Sequence, residues 1–263
     1  MSAARWFTCF LLSTLTAVTN AAEIVVLAAG SLRAPLTDIA RAFERESGDT
    51  VILTFGASGL LRDRIEKGQR ADVFASANME HPQSLAATGW ASRVARFARN
   101  RMCILALPSV KITSETALAT MLELGVRLGT STPKADPSGD YAWEVFRKAD
   151  LQKPGSFAAL SAKALQLTGG PQSPPLPADR NVYAALVAEG KADIFLTYCT
   201  NADLARKEQP ALQLVKLPES LEVGADYGIA VRRDAHASAT RFVAFVLSPE
   251  GVRRFAEYGF DSP

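Results

Sequence analysis

The feature that most constrains this chain is a device that occurs twice near its start. Glu23 to Ala29 is an apolar run of strand length ending in Ala28-Ala29-Gly30-Ser31, and Thr50 to Phe55 is a β-branched run ending in Phe55-Gly56-Ala57-Ser58-Gly59. After the first, Leu36, Ile39, Ala40 and Phe43 return at helical spacing; after the second, Leu61 and Ile65 do. Gly48 and Gly68 end these helices, and Asp72 to Ser76 reads as a third strand. A β-α-β-α-β order predicts a parallel sheet with right-handed crossovers, and in such sheets ligands sit beyond the carboxyl ends of the strands. Ser31 and Ser58 both fall at those ends. A helix N-terminus offers unpaired N–H groups and the positive end of the helix dipole, small residues let a ligand approach the backbone, and a serine adds a hydroxyl donor. Two such ends aimed at one point bind an anion without any formal positive charge. Taken singly, each serine is as readily a plain helix N-cap.

The α/β pattern continues along the chain. Met102 to Leu107 and Val126 to Thr130 are strand-like, and Pro133 to Gly139 is a loop before a helix marked by Ala142, Val145, Phe146 and Ala149. Ser138 precedes that helix as Ser31 and Ser58 precede theirs. Thr168 to Pro177 is rich in glycine and proline and reads as irregular. Val182 to Ala188 is helical, Asp193 to Tyr198 a strand, and Leu212 to Leu217 and Tyr227 to Arg232 the last strands. The tail holds a helix through Phe242, Phe245 and Val246. Ser248-Pro249-Glu250 then supplies the N-cap, first residue and first-turn acid of another.

At 263 residues the chain can hold one large domain or two lobes, and its 48% apolar and 21% charged content is that of a globular protein. A net charge of +2 argues against a nucleic-acid binder, which needs a clustered basic face. Residues 1–21 have the layout of a cleaved secretory signal peptide: Arg5, an apolar core from Trp6 to Leu15, then small residues at Thr19 and Ala21. Export to the periplasm is the expectation. Cys9 leaves with that segment, and buried free thiols are the expected state of Cys103 and Cys199, since two cysteines make no disulfide framework.

Enzyme readings fare poorly. Gly56-Ala57-Ser58-Gly59 is not the Gly-x-Ser-x-Gly of a serine hydrolase. The two histidines, His81 and His236, lie in polar surroundings and are expected to be solvated. No cysteine and histidine spacing suits a metal. No catalytic residue, metal or cofactor is expected.

Ala28-Ala29-Gly30-Ser31-Leu32, Phe55-Gly56-Ala57-Ser58-Gly59, Ala71-Asp72-Val73-Phe74-Ala75-Ser76-Ala77 and the ending Ser248-Pro249-Glu250-Gly251 through Tyr258-Gly259-Phe260 together resemble the periplasmic molybdate-binding proteins of ABC importers. The resemblance covers nearly the whole chain after the signal. It implies a type II periplasmic-binding fold: two lobes with mostly parallel sheets, joined by a two-strand hinge, the first lobe spanning 23–101 and 226–263 and the second 102–225. It further implies that neutral donors hold a tetrahedral molybdate or tungstate. Ser31 and Ser58 would donate from the first lobe. The backbone at Ser138, the hydroxyl of Tyr198 and the turn at Asp179, Arg180 or Asn181 would donate from the second. A monomer that hands its anion to a membrane permease is expected.

Three second-lobe features depart from the family: the Thr168 to Pro177 stretch, Cys199-Thr200-Asn201 after the tyrosine, and charge from Arg180 and Asp140. A carboxylate in the pocket would admit a protonated or organic ligand, so the alternative is the same fold binding another anion or small organic solute, for import or for sensing.

Overall fold

The computed structural model describes residues 21–174 and 180–263. Residues 1–20 of the expected signal segment 1–21, the end of the proline-rich stretch and Asp179 lie outside the described residues.

The first three strands and their crossovers are β1 (Glu23–Ala29), α1 (Arg33–Ser47), β2 (Thr50–Gly56), α2 (Ser58–Glu66) and β3 (Val73–Ser76). They follow the sequence pattern closely. Leu36, Ile39, Ala40 and Phe43 are the buried face of α1, and Gly48 closes that helix in the left-handed conformation at φ 75°. α3 (Glu80–Ala87) leads to β4 (Ala91–Ala106), a 16-residue strand. Then come α4 (Ala117–Leu122), β5 (Leu128–Ser131), α5 (Pro137–Gln152), α6 (Ser156–Lys163) and β6 (Leu165–Thr168). α7 (Val182–Ala188), β7 (Ile194–Tyr198), α8 (Cys199–Glu208), β8 (Gln213–Lys216), β9 (Gly224–Arg232), α9 (Ala237–Val246) and α10 (Pro249–Glu257) complete the chain.

The strands run in the order β2-β1-β3-β9-β4-β7-β5-β6, with β8 also on β4. β1 is parallel to both β2 and β3, and β5 is parallel to both β6 and β7. The central strands are antiparallel. β9 pairs with β3 on one side and with β4 from Ala91 to Arg101 on the other, while β4 from Met102 to Ala106 pairs with β7 and β8. The result is an α/β protein of two lobes, each built on a parallel triplet, with β4 running from one into the other.

Packing ties the tail to the first lobe. Phe43 of α1 meets Phe242 and Phe245 of α9 with ring centroids 5.3 and 5.7 Å apart, and Phe97 of β4 lies 5.2 Å from Phe255 of α10. Asp72, directly before β3, is fully buried; it accepts from Val25 N at 3.0 Å and pairs with Arg232 at 3.0 Å.

Several sequence expectations change. β4 begins at Ala91, eleven residues before the expected strand, because its first part alternates exposed arginines with apolar residues; Arg96 and Arg99 pair with Asp226 of β9. α3, α4, α6 and β6 were not anticipated, being short and weakly periodic. Ser138 stands inside the first turn of α5, not before it, and Asp136 is the N-cap. Cys103 and Cys199 are not free thiols: they form a disulfide, with Cα atoms 4.8 Å apart. The cause is register. Met102 pairs with Tyr198 across β4 and β7, so α8 starts beside Cys103. His81 is buried at 6% exposure, not solvated, because α3 lays it against Arg62 of α2. Burial and the Arg62 charge pull its pKa down to about 4, which keeps the imidazole neutral.

Candidate functional site

A cavity of about 590 Å³ opens between the lobes. Its first-lobe wall is the two motifs: Ala29, Gly30 and Ser31 at the end of β1, and Phe55, Gly56 and Ala57 at the end of β2. Its second-lobe wall includes Asp136, Gly169, Arg180, Asn181 and Tyr198. Both sets stand at the carboxyl ends of parallel strands.

Ser31 sits in a 3-10 turn, Gly30–Leu32, that leads into α1, and no side chain caps this end. Its Oγ lies 2.9 Å from the Tyr227 hydroxyl, which accepts from Asn100 Nδ2 at 3.4 Å. Asn100 Nδ2 also donates to Thr200 Oγ1 at 2.8 Å, so this network joins β4, β9 and the start of α8. Burial pushes the Tyr227 hydroxyl far above the ordinary tyrosine range, so it stays protonated. When Tyr227 donates to Ser31 Oγ, the Ser31 proton is left for the cavity.

Ser58 is the first residue of α2 and is buried; its Oγ accepts from Ala77 N at 3.2 Å. It is not among the residues lining the cavity, where Ala57 stands in front of it. Gly59 N donates to Ala135 O at 2.9 Å, a bond between the lobes. A Cβ on Gly59 would fall 2.5 Å from the Lys134 carbonyl oxygen, so only glycine permits this approach.

The second lobe presents its helix ends differently. Ser138 N donates to Asp136 Oδ1 at 3.1 Å, so the amide that would meet an anion already has a carboxylate. Ser138 Oγ is buried without a partner among the described residues, and Ser138 does not line the cavity. Asp140 is likewise off the wall; it accepts from Lys134 N at 2.7 Å and holds a turn in which Lys134 adopts φ 68°. Arg180 lines the cavity and pairs with Glu189 at 2.9 Å. Asn181 caps α7 by accepting from Tyr183 N and Ala184 N, and its own N–H donates to Glu208 at 2.6 Å. Tyr198 ends β7 and lines the cavity at 2% exposure; its hydroxyl has no partner among the described residues. Burial raises that hydroxyl well above the usual tyrosine range, so it is a donor at any physiological pH.

The cavity therefore gathers Ser31, Arg180 and Tyr198, while Ser58 and Ser138 stand behind its wall. It adds Asp136, which the sequence reading passed over. The signal was present: aspartate followed by proline is an N-cap and first helical residue, which aims the side chain at the helix end. Among the described residues no cluster of His, Cys, Asp and Glu could hold a metal ion.

Strand order and interlobe cleft are those of the two-lobed periplasmic binding proteins. The chain belongs to the bacterial extracellular solute-binding proteins, whose family profile matches residues 24–261. It is 38% identical over 207 residues to an uncharacterized protein of Pasteurella multocida, covering 78% of this chain and 85% of that one. It is 28% identical over 253 residues to the molybdate-binding protein ModA of Escherichia coli, covering 93% and 91%. Among solved structures, the periplasmic molybdate-binding protein of Azotobacter vinelandii superposes with a TM-score of 0.74 at 19% identity, covering 92% of this chain and all of that one. The periplasmic binding protein AfuA of Actinobacillus pleuropneumoniae, with fructose-6-phosphate bound, gives 0.72 at 15% identity, covering 90% and 83%. The chain is thus a solute-binding protein, not an enzyme, and proteins of this kind deliver their ligand to an ABC-type permease.

Proposed function

We propose that this protein captures a small anion in the interlobe cleft of the periplasm and hands it, as a monomer, to the permease of an ABC importer. The cleaved signal is residues 1–21, and the lobes are 23–101 with 226–263, and 102–225. That division fits the change of partner along β4, from β9 at Arg101 to β7 at Met102. The observation that carries the anion reading is Tyr198: a buried hydroxyl, unpartnered among the described residues, on the wall of a cavity that also receives the uncapped end of α1. Ser31 Oγ joins them as a donor to the bound oxygen atoms.

Molybdate or tungstate is the ligand that the likeness to ModA supports. Both are fully deprotonated near neutral pH, so every ligand oxygen accepts. A second reading, a phosphorylated organic anion, is favoured by a cavity of about 590 Å³ and by the carboxylate on its wall. Thermal unfolding with molybdate, tungstate, sulfate, phosphate and sugar phosphates tests both. A ligand at 100 times its dissociation constant adds about 2.7 kcal/mol, a shift of several degrees. The shift should be largely lost in Ser31→Ala, whose hydroxyl is the first-lobe side-chain donor on the cavity wall; an undiminished shift in that variant rules out the Ser31 donor.

A further inference from the structure

Asp136 is a carboxylate in a site read as an anion receptor, and its surroundings are built rather than incidental. It lines the cavity as the N-cap of α5, with Oδ1 bound to Ser138 N at 3.1 Å. Its other oxygen is pressed against Gly169: a Cβ there would fall 2.4 Å from Oδ2, and Gly169 holds φ 74°. Among the described residues no cation neutralises it. Of the cavity arginines, Arg180 pairs with Glu189 and Arg33 lies over the Phe55 ring at 4.9 Å. The neighbouring charge that acts on it is Asp140, of the same sign.

We propose that Asp136 is the specificity-determining acceptor of the cleft, taking a hydrogen bond from an O–H group that the bound anion carries beside its charged oxygens. The inference rests on reading the cleft as an anion site and names the ligand class of that site. A bare tetrahedral dianion presents acceptors alone. Beside an ionised Asp136 it suffers like-charge repulsion and offers the carboxylate no donor beyond those the protein already supplies. An anion bearing a hydroxyl or a retained proton satisfies the helix ends with its charged oxygens and Asp136 with its O–H. Inorganic hydrogen phosphate and a hydroxylated organic phosphate share this chemistry.

The carboxyl also sets a pH dependence. Burial pushes its pKa up to about 6, against the pull of the Ser138 N–H and the Ser131 side chain, with Asp140 adding to the rise. Tyr183, Tyr198 and Tyr227 also face it and stay protonated, all raised above the usual tyrosine range by burial. Arg33, Arg180 and Glu208 complete the charged groups of the wall. Below pH 6 Asp136 gains a proton and becomes a donor, so a bare dianion then meets no opposing charge.

The test is calorimetric titration of the whole protein and of Asp136→Asn with sulfate, molybdate, inorganic phosphate and glycerol 3-phosphate, at pH 7.5 and 5.5. Wild type at pH 7.5 should bind one of the phosphates at least about tenfold more tightly than sulfate or molybdate. Whether inorganic phosphate or glycerol 3-phosphate is the tighter identifies the source of the O–H. Asp136→Asn should cut the preference by about tenfold or more. Molybdate should bind wild type more tightly at pH 5.5 than at 7.5, and this arm decides if the variant does not fold. Equal molybdate affinity at both pH values, or a preference unchanged in Asp136→Asn, overturns the proposal while leaving the anion site standing. Silence from all four anions in both proteins overturns the anion reading itself, and the proposal with it.

Discussion

The two lobes bring helix ends to one cleft and finish most of them differently. In the first lobe neither the turn into α1 nor α2 has a side-chain cap; their N-caps are Ala29 and Ala57. In the second lobe α5 is capped by Asp136 and α7 by Asn181, each bound to amides of its own first turn, while α8, whose N-cap is Tyr198, has no side-chain cap. An uncapped end keeps its donors for a ligand, whereas a capped end has spent them within the protein. On the function proposed above, the first lobe is a general receptor for negative charge. The second, with Asp136 and the Tyr198 hydroxyl that has no partner among the described residues, is then where one anion is told from another.

The largest effect expected to break this contrast lies at the disulfide. The second-lobe wall is fixed covalently, because Cys199 follows Tyr198 directly and is bonded to Cys103 across 96 residues of chain. The first-lobe wall is held by hydrogen bonds, among them the Ser31, Tyr227 and Asn100 network and the bond from Ala77 N to Ser58 Oγ. Closing so long a loop restricts the unfolded chain, and its removal should destabilise the protein by about 4 kcal/mol. Urea unfolding of Cys103→Ala with Cys199→Ala, or of wild type with reductant, measures it. A loss confined to the second lobe would show in near-ultraviolet signals from Tyr198 before those from the first lobe.

Next come two carboxylates with opposite environments, Asp72 buried in the first lobe and Asp136 half-buried on the cavity wall of the second. Burial lifts the pKa of Asp72, but the Val25 N–H, Arg232 and Arg70 outweigh it and hold the carboxyl below its ordinary value. Asp136 has no cation partner among the described residues and is lifted to about 6. Asp72→Ala should cost about 3 kcal/mol, the low end for a broken buried pair, because Arg232 keeps 34% of its side chain in solvent. Asp136→Asn should cost little at pH 7.5, since it removes a charge that folding opposes. The pH dependences also differ in sign. The Asp72 contribution is present at neutral pH and is lost as pH falls through its depressed pKa. The Asp136 contribution is full below the unfolded carboxylate pKa and is lost as pH rises through about 6. Unfolding free energies of wild type and Asp136→Asn between pH 4 and 7 should therefore diverge, with the decline present in wild type alone.

The sequence made the first lobe far more legible than the second. β1, α1, β2 and α2 declare themselves by periodicity, and their glycines and serines mark the ends that reach the cleft. What it hid depends on register and on nearness through space. The Cys103–Cys199 bond follows from pairing Met102 with Tyr198, which no spacing encodes. Burial of His81 depends on how α3 lies on α2. Ser58 and Ser31 occupy matching places in their motifs, yet one hydroxyl turns back to Ala77 N and the other to Tyr227 near the cavity. Asp136 was readable as a cap but not as part of the wall, since that needs the β5 and β6 ends brought together.

The smallest effects compare the helix ends directly. Asn181 accepts from Tyr183 N and Ala184 N, both at 3.0 Å, so Asn181→Ala should cost about 1 kcal/mol of stability. Ser31 caps no helix but bonds the buried Tyr227 hydroxyl at 2.9 Å, so Ser31→Ala should also cost the unliganded protein about 1 kcal/mol. With an anion added the two should separate: Ser31→Ala loses most of the ligand-induced rise in unfolding temperature, and Asn181→Ala keeps it. One melting series with and without ligand measures all four values. If Ser31→Ala were to lose stability yet keep its ligand shift, the open helix end of the first lobe would be a structural joint, and the division of labour between the lobes would fail.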